Sequence, residues 1–178
     1  MDKKRIEEKM DEFQSIIQYR FSSVVLLEQA MSAIRIKPQN RSKKCLEYTN
    51  SGLATVGDAL LSAVLSDYYF SKGISAKGDI TDNKSVLENN ETLHSIVMSE
   101  GWINYAYNGN GFYGDPDLKE HLKVQATKHD SYVEAIIGAI YYDSNFDIMK
   151  KWVIDFLLPL LEKYKNVKTL WYKGELII

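Results

Sequence analysis

Residues 53–61 read LATVGDALL, and residues 132–143 read YVEAIIGAIYYD. Both segments are apolar at spacings of three and four, which predicts two helices buried over most of their surface. Each carries an acid inside its apolar run, Asp58 in the first and Glu134 in the second. An isolated, buried carboxylate is costly, so each calls for a partner or a cation. Each helix also has a glycine beside or near its acid, Gly57 and Gly138. Helices with glycine at the contact approach closely, and that brings two carboxylates together. Converging carboxylates repel unless a cation sits between them, and an all-oxygen ligand set favours Mg²⁺ or Mn²⁺. Two plainer readings stay open. Asp58 could pair with a lysine or arginine and only stabilise the fold. Ser131 to Glu134 also fits a capping box, S-x-x-E, in which Glu134 merely satisfies a helix end.

Outward from these segments the pattern stays helical. Ile6, Met10, Phe13, Ile16 and Ile17 make one apolar face over residues 3–17. Val24, Leu27, Met31 and Ile34 repeat it, until Pro38 and a basic loop end that helix. The helix carrying Asp58 is predicted to start at the cap-rich run Thr49-Asn50-Ser51 and to stop near Lys72-Gly73. Its expected stripe is Leu53, Val56, Leu60, Val64 and Tyr68, widened by Leu61 and Leu65. The stretch from Gly78 to Trp102 reads as one or two shorter helices, with Ile80, Leu87, Leu93, Ile96 and Val97 inward. YNGNGFYGDPD, residues 107–117, is loop. Helices are expected over residues 131–142 and 146–165, the latter kinked or broken at Pro159. Tyr141 and Tyr142 sit at core spacing. The segment TLWYKGELII looks extended and too short to stand alone. The expected organisation is a helical domain over residues 1–168 and a short tail over 169–178, with no second domain.

The 178 residues are 45% hydrophobic and 26% charged, as in a folded globular chain rather than a disordered one. One cysteine, Cys45, excludes an intramolecular disulfide and suits a reducing compartment. No stretch approaches the roughly 20 apolar residues of a membrane span, so a cytoplasmic setting is expected. A net charge of −2 excludes a strongly basic nucleic-acid binder but not a local patch. Residues 35–44, RIKPQNRSKK, hold Arg35, Lys37, Arg41, Lys43 and Lys44 with no acid, a run suited to RNA phosphates or simply to solvent. His94, His121 and His129 have no zinc-site spacing, and there is no phosphate-binding glycine loop.

Four segments together resemble the ribonuclease III family. GLATVGDALLSAVLSDYYF (52–70) is similar to the signature NERLEFLGDAVL, and HDSYVEAIIGAIYYDSNF (129–146) to ADxxEALIGAxYLD. QYRFSSVVLLEQAM (18–31) resembles GYxFxxxxLLxxALT. GDITDNKSVLENNETLHSIV (78–97) resembles GELSxxRxxLVNxxxLxxI. The four stand in the family's order over residues 10–155. The resemblance implies an all-helical ribonuclease III endonuclease fold, a homodimer, and Mg²⁺-dependent cutting of double-stranded RNA. It implies that Asp58 and Glu134 are catalytic metal ligands and that Asn89, matching LVN, contacts RNA.

The departures are specific. Two acids of the signature fall at Ser51 and Ala54, and the aspartate three residues before the helical glutamate falls at Ser131. Asp130 stands one position earlier, a rotation of about 100° on a helix, and is a further candidate metal ligand. The signature's aromatic is Thr55, which bears on the dimer contact. Two functions from different classes follow. One is an endoribonuclease for double-stranded or structured RNA using Asp58, Glu134 and Asp130 on Mg²⁺ or Mn²⁺. The other is a catalytically degenerate member that binds RNA or a ribonucleoprotein without cleaving it.

Overall fold

The computed structural model describes residues 3–32, 50–107, 111–118 and 130–166, except the Asp130 side chain, and the backbone of 170–172 and 175–177. Helix α1 spans Lys3–Ile16, α2 Val24–Ala30, α3 Ser51–Ser71, α4 Lys77–Ser85 and α5 Asn90–Ser99. A 3₁₀ turn, Trp102–Tyr105, follows. Helix α6 spans Asp130–Asp143, α7 Phe146–Trp152 and α8 Leu158–Tyr164, the last two joined by a π-helical stretch, Val153–Leu157. Two short strands, β1 Leu170–Tyr172 and β2 Glu175–Ile177, pair as an antiparallel hairpin with Trp171 opposite Leu176. The helical architecture is as the sequence predicts. The basic loop residues Arg35, Lys37, Arg41, Lys43 and Lys44, together with Pro38, Cys45, His121 and His129, lie outside the described residues.

Helices α3 and α6 form the central pair. They pack at backbone distance because a glycine from each meets the other's main chain. A Cβ at Gly57 would lie 1.7 Å from the Glu134 carbonyl oxygen, and one at Gly138 2.3 Å from that of Leu53. Neither position has room for any side chain. This crossing rotates the buried face of α3 from the stripe read off the sequence. Leu53, Ala54, Gly57, Leu61, Val64 and Leu65 are buried, whereas Val56, Leu60 and Tyr68 are only half-buried. The periodicity ranks side chains by hydropathy and so passes over a glycine whose value is its lack of one.

Around this pair the core closes with Phe13 of α1 and Ile17 just after it, Leu27 of α2, Leu93 and Ile96 of α5, Trp102, and Leu157. Polar ties fix the surrounding helices. Asp143, at the end of α6, accepts hydrogen bonds from the backbone N–H of Ser22 (3.0 Å) and Ser23 (2.8 Å) and from the Tyr19 hydroxyl (3.0 Å). It thereby caps α2 from another element. At the other end of α2, the Asn50 side chain donates to the Ala30 carbonyl (3.2 Å), and Asn50 N–H to that of Ser32 (3.0 Å). Asn50 thus joins two helices and, contrary to the expectation from its cap-rich run, makes no side-chain cap on α3. The Trp152 indole N–H donates to the Ile17 carbonyl at 2.8 Å, tying α7 to the residue that follows α1.

Other expectations are corrected. Helix α2 ends at Ala30 rather than running on toward Ile34. The last helical span is interrupted just before Pro159, as the expected kink or break requires, but by a π-helical stretch and not by a loop. This five-residue turn from Val153 accommodates a residue that cannot donate a backbone hydrogen bond. Tyr142 is 58% exposed, so it is a surface residue of α6, not core. Ser131 lies inside α6, which already includes Asp130, so the capping-box reading of Glu134 falls. Among the described residues no helix is long and apolar enough to cross a membrane.

Candidate active site at the α3–α6 crossing

The glycine contact that packs the two helices also places their acids. Gly57 lies on the backbone of Glu134, and Asp58 is the next residue of α3. Asp58 is exposed and makes no hydrogen bond or ion pair with any described residue. The expectation that it is buried in an apolar helix is therefore corrected. It stands on the solvent-facing side of α3, turned away by about 100° from the neighbouring Gly57, which faces α6. No lysine or arginine among the described residues pairs with it. Glu134 is half-buried on α6, with apolar Val133 and Ala135 fully buried on either side.

The positions that the family resemblance assigns to further acids are also visible. Ala54 is buried at 6% exposure beneath the crossing, Ser51 is exposed at the start of α3, and Ser131 is half-buried one turn before Glu134. Thr55 is exposed and its hydroxyl donates to the Ser51 carbonyl at 3.0 Å. Among the described residues no group of three or more His, Cys, Asp or Glu side chains is gathered to hold a metal ion. Asp130 occupies the first position of α6, on the same helix as Glu134 and four residues before it. Asp58 and Glu134 thus stand on two helices whose backbones touch at Gly57, with Asp58 open to water and Glu134 half-buried. A pair of carboxylates suits Mg²⁺, which binds through one or two carboxylates and keeps several waters.

Asn89 is placed on other duty. It is the N-cap of α5, where its Oδ1 accepts from the Thr92 N–H at 2.8 Å and its Nδ2 donates to the Val86 carbonyl at 2.9 Å. Both ends of the amide are engaged within its own turn.

The sequence reading missed a polar cluster one turn along α3 from Asp58. The Lys84 ammonium, from the last turn of α4, hydrogen-bonds to the Ser62 hydroxyl and lies 3.4 Å from Glu88 Oε1. The signal was present in the spacing, because Ser62 is four residues after Asp58 and shares its helix face.

Comparison with known proteins bears on this arrangement. The family model of the Ribonuclease III domain matches residues 51–145, the span that contains both helices of the crossing. The chain belongs to the ribonuclease III family. A ribonuclease 3 of Treponema pallidum is 29% identical over 153 residues, covering 85% of this chain and 58% of that protein. One from Lactococcus lactis subsp. cremoris is 26% identical over 157 residues, covering 88% and 65%. The chain therefore spans less than two thirds of these ribonuclease III relatives. Among solved structures, the nuclease domain of ribonuclease III from Campylobacter jejuni superposes with a TM-score of 0.64 at 26% identity. That match covers 90% of this chain and 99% of that domain.

Proposed function

We propose that this ribonuclease III-family chain is an endoribonuclease acting on double-stranded or structured RNA, with Asp58 and Glu134 as its catalytic acids. The observation that supports it is the glycine-sealed crossing: Asp58, exposed and without an ion pair among the described residues, follows the Gly57 that rests on the Glu134 backbone. These two carboxylates, with Asp130 as a third candidate, would hold Mg²⁺ or Mn²⁺. When bound, the ion supplies Lewis-acid chemistry at the phosphodiester and offsets charge on the leaving oxygen.

The chain's own part is orientation. Asp58 is fixed by a helix that cannot slide, because Gly57 has no clearance on its partner. Glu134 is held by buried Val133 and Ala135. The exposed side of α3 leaves Asp58 open to a polyanion. The basic residues Arg35, Lys37, Arg41, Lys43 and Lys44 complete the proposal as phosphate contacts, read by shape and charge rather than by base. Asn89 is left to its capping role. A homodimer and a cytoplasmic setting accompany this reading. The Campylobacter domain is described as having a region involved in dimer formation.

A second reading is favoured by Ser51, Ala54 and Ser131, where the family resemblance expects acids. Fewer negative ligands weaken the hold on a divalent ion, which suits a member that binds RNA without cutting it. One assay separates the two: Mg²⁺-dependent cleavage of a long RNA duplex by the chain and by Asp58→Asn. Cleavage that falls at least about 100-fold in the variant, the scale of losing one aligned electrostatic group, supports the nuclease. Cleavage unaffected by Asp58→Asn excludes the site. No cleavage together with salt-sensitive duplex binding gives the second reading.

A further inference from the structure

The Ser62–Lys84–Glu88 cluster has properties that simple packing does not require. Lys84 and Glu88 are on average largely covered, with side chains 19% and 21% exposed. Glu88 Oε1 faces the ammonium, while Oε2 is shielded from solvent and has no hydrogen-bond partner among the described residues. A carboxylate in that state depends on the neighbouring cation for its compensation. The cation in turn is bonded to Ser62, one helical turn from the exposed Asp58 and on the same face of α3. A positive charge therefore stands beside the candidate site, and an acid of the chain consumes it.

We propose that Lys84 is a latent phosphate-binding residue of this site and that Glu88 is its built-in competitor, setting how tightly the chain holds RNA. The inference rests on the reading that an RNA backbone passes Asp58. A lysine paired with a carboxylate contributes little net attraction to a polyanion. The same lysine freed from it adds one phosphate contact, and each such contact releases a counterion. Ser62 keeps the ammonium aimed along the Asp58 face in either case. A purely structural role, tying α4 to α3, predicts only a change in stability when Glu88 is altered.

The salt dependence of binding distinguishes these roles. A fluorescently labelled long RNA duplex is titrated by anisotropy across a salt series without divalent ions, so that no cleavage occurs. The proteins are the wild type, Glu88→Gln, Lys84→Met and the double variant, each with a thermal melt. Glu88→Gln should bind several-fold tighter at low salt and steepen the plot of log K against log salt by about 0.9. Lys84→Met alone should bind much as the wild type does, and in the Glu88→Gln background it should erase the gain. Glu88→Ser repeats the measurement if the glutamine variant does not fold. Wild-type binding with an unchanged slope in both Glu88 variants overturns the proposal and leaves the RNA reading intact. No binding by any of the proteins at low salt overturns both.

Discussion

At the scale of single residues, Gly57 and Gly138 carry the architecture and Asp58 carries the chemistry. A methyl group at position 57 would overlap a carbonyl oxygen of α6, and backbone cannot step aside as a flexible side chain does. Gly57→Ala is expected to cost at least about 3 kcal/mol, the upper range for overpacking, and to fail to fold if the helices cannot separate. Chemical denaturation measures this directly. Asp58 behaves oppositely. It is exposed and unpartnered among the described residues, so Asp58→Asn should shift stability by less than about 0.5 kcal/mol. A variant that melts like the wild type and does not cut RNA isolates function from folding. A large loss of stability would mean that Asp58 has a structural partner after all.

At the scale of elements, the short helix α2 has little intrinsic stability, since isolated helices shorter than about 12 residues are marginal in water. Other elements hold it: Asp143 from α6 at its start, and Asn50 with the Tyr107 N–H (2.8 Å to the Met31 carbonyl) at its end. Asp143→Ala removes three hydrogen bonds and leaves two backbone donors at the α2 entrance. It should destabilise the protein by roughly 1–3 kcal/mol, and hydrogen exchange should speed up in α2 before the rest. Uniform loss of protection across the chain would show that α2 is not a separate weak unit. The C-terminal helical stretch is governed differently. Pro159 sets a widened turn from Val153 to Leu157, yet that turn keeps Val153 and Leu157 buried, so the irregularity is absorbed without loss of core.

At the scale of the whole molecule, buried tyrosines set the alkaline limit. Burial, with the nearby Glu12 carboxylate as hydrogen-bond partner, pushes Tyr105 from 10.0 up to about 12. Burial drives Tyr132 in the same direction. A tyrosine whose proton is held more tightly in the folded state stabilises that state fully below its unfolded value. The contribution declines as pH rises from about 10 through the folded value. Stability should therefore fall between pH 10 and 12, with tyrosinate absorbance rising together with loss of helix. Tyrosinate appearing in full before any unfolding would contradict this. On the acid side, the Lys163 ammonium and the Tyr164 hydroxyl hold the Glu100 carboxyl below its ordinary range. That contribution is present above the unfolded carboxylate value and is lost as pH falls through the lower folded one. It is small at so open a site.

The order of helices, the apolar character of the Asp58 and Glu134 segments, and their glycines were legible in the sequence because periodicity and composition are local properties. From them came the all-helical architecture and the family. Leu53, Leu61, Val64 and Leu65 were read correctly as inward, but the half-burial of Val56, Leu60 and Tyr68 was not legible, since it depends on the clearance between two backbones at Gly57 and Gly138, a quantity no hydropathy pattern contains. The same clearance turned Asp58 outward and left it without a described partner. Only the assembled chain placed Asp143 on the entrance of α2 and Lys84 between Ser62 and Glu88. The bonds of Asp143 to Ser22 and Ser23 and of Lys84 to Ser62 join residues far apart in the chain, whose spacing says nothing about their distance in space.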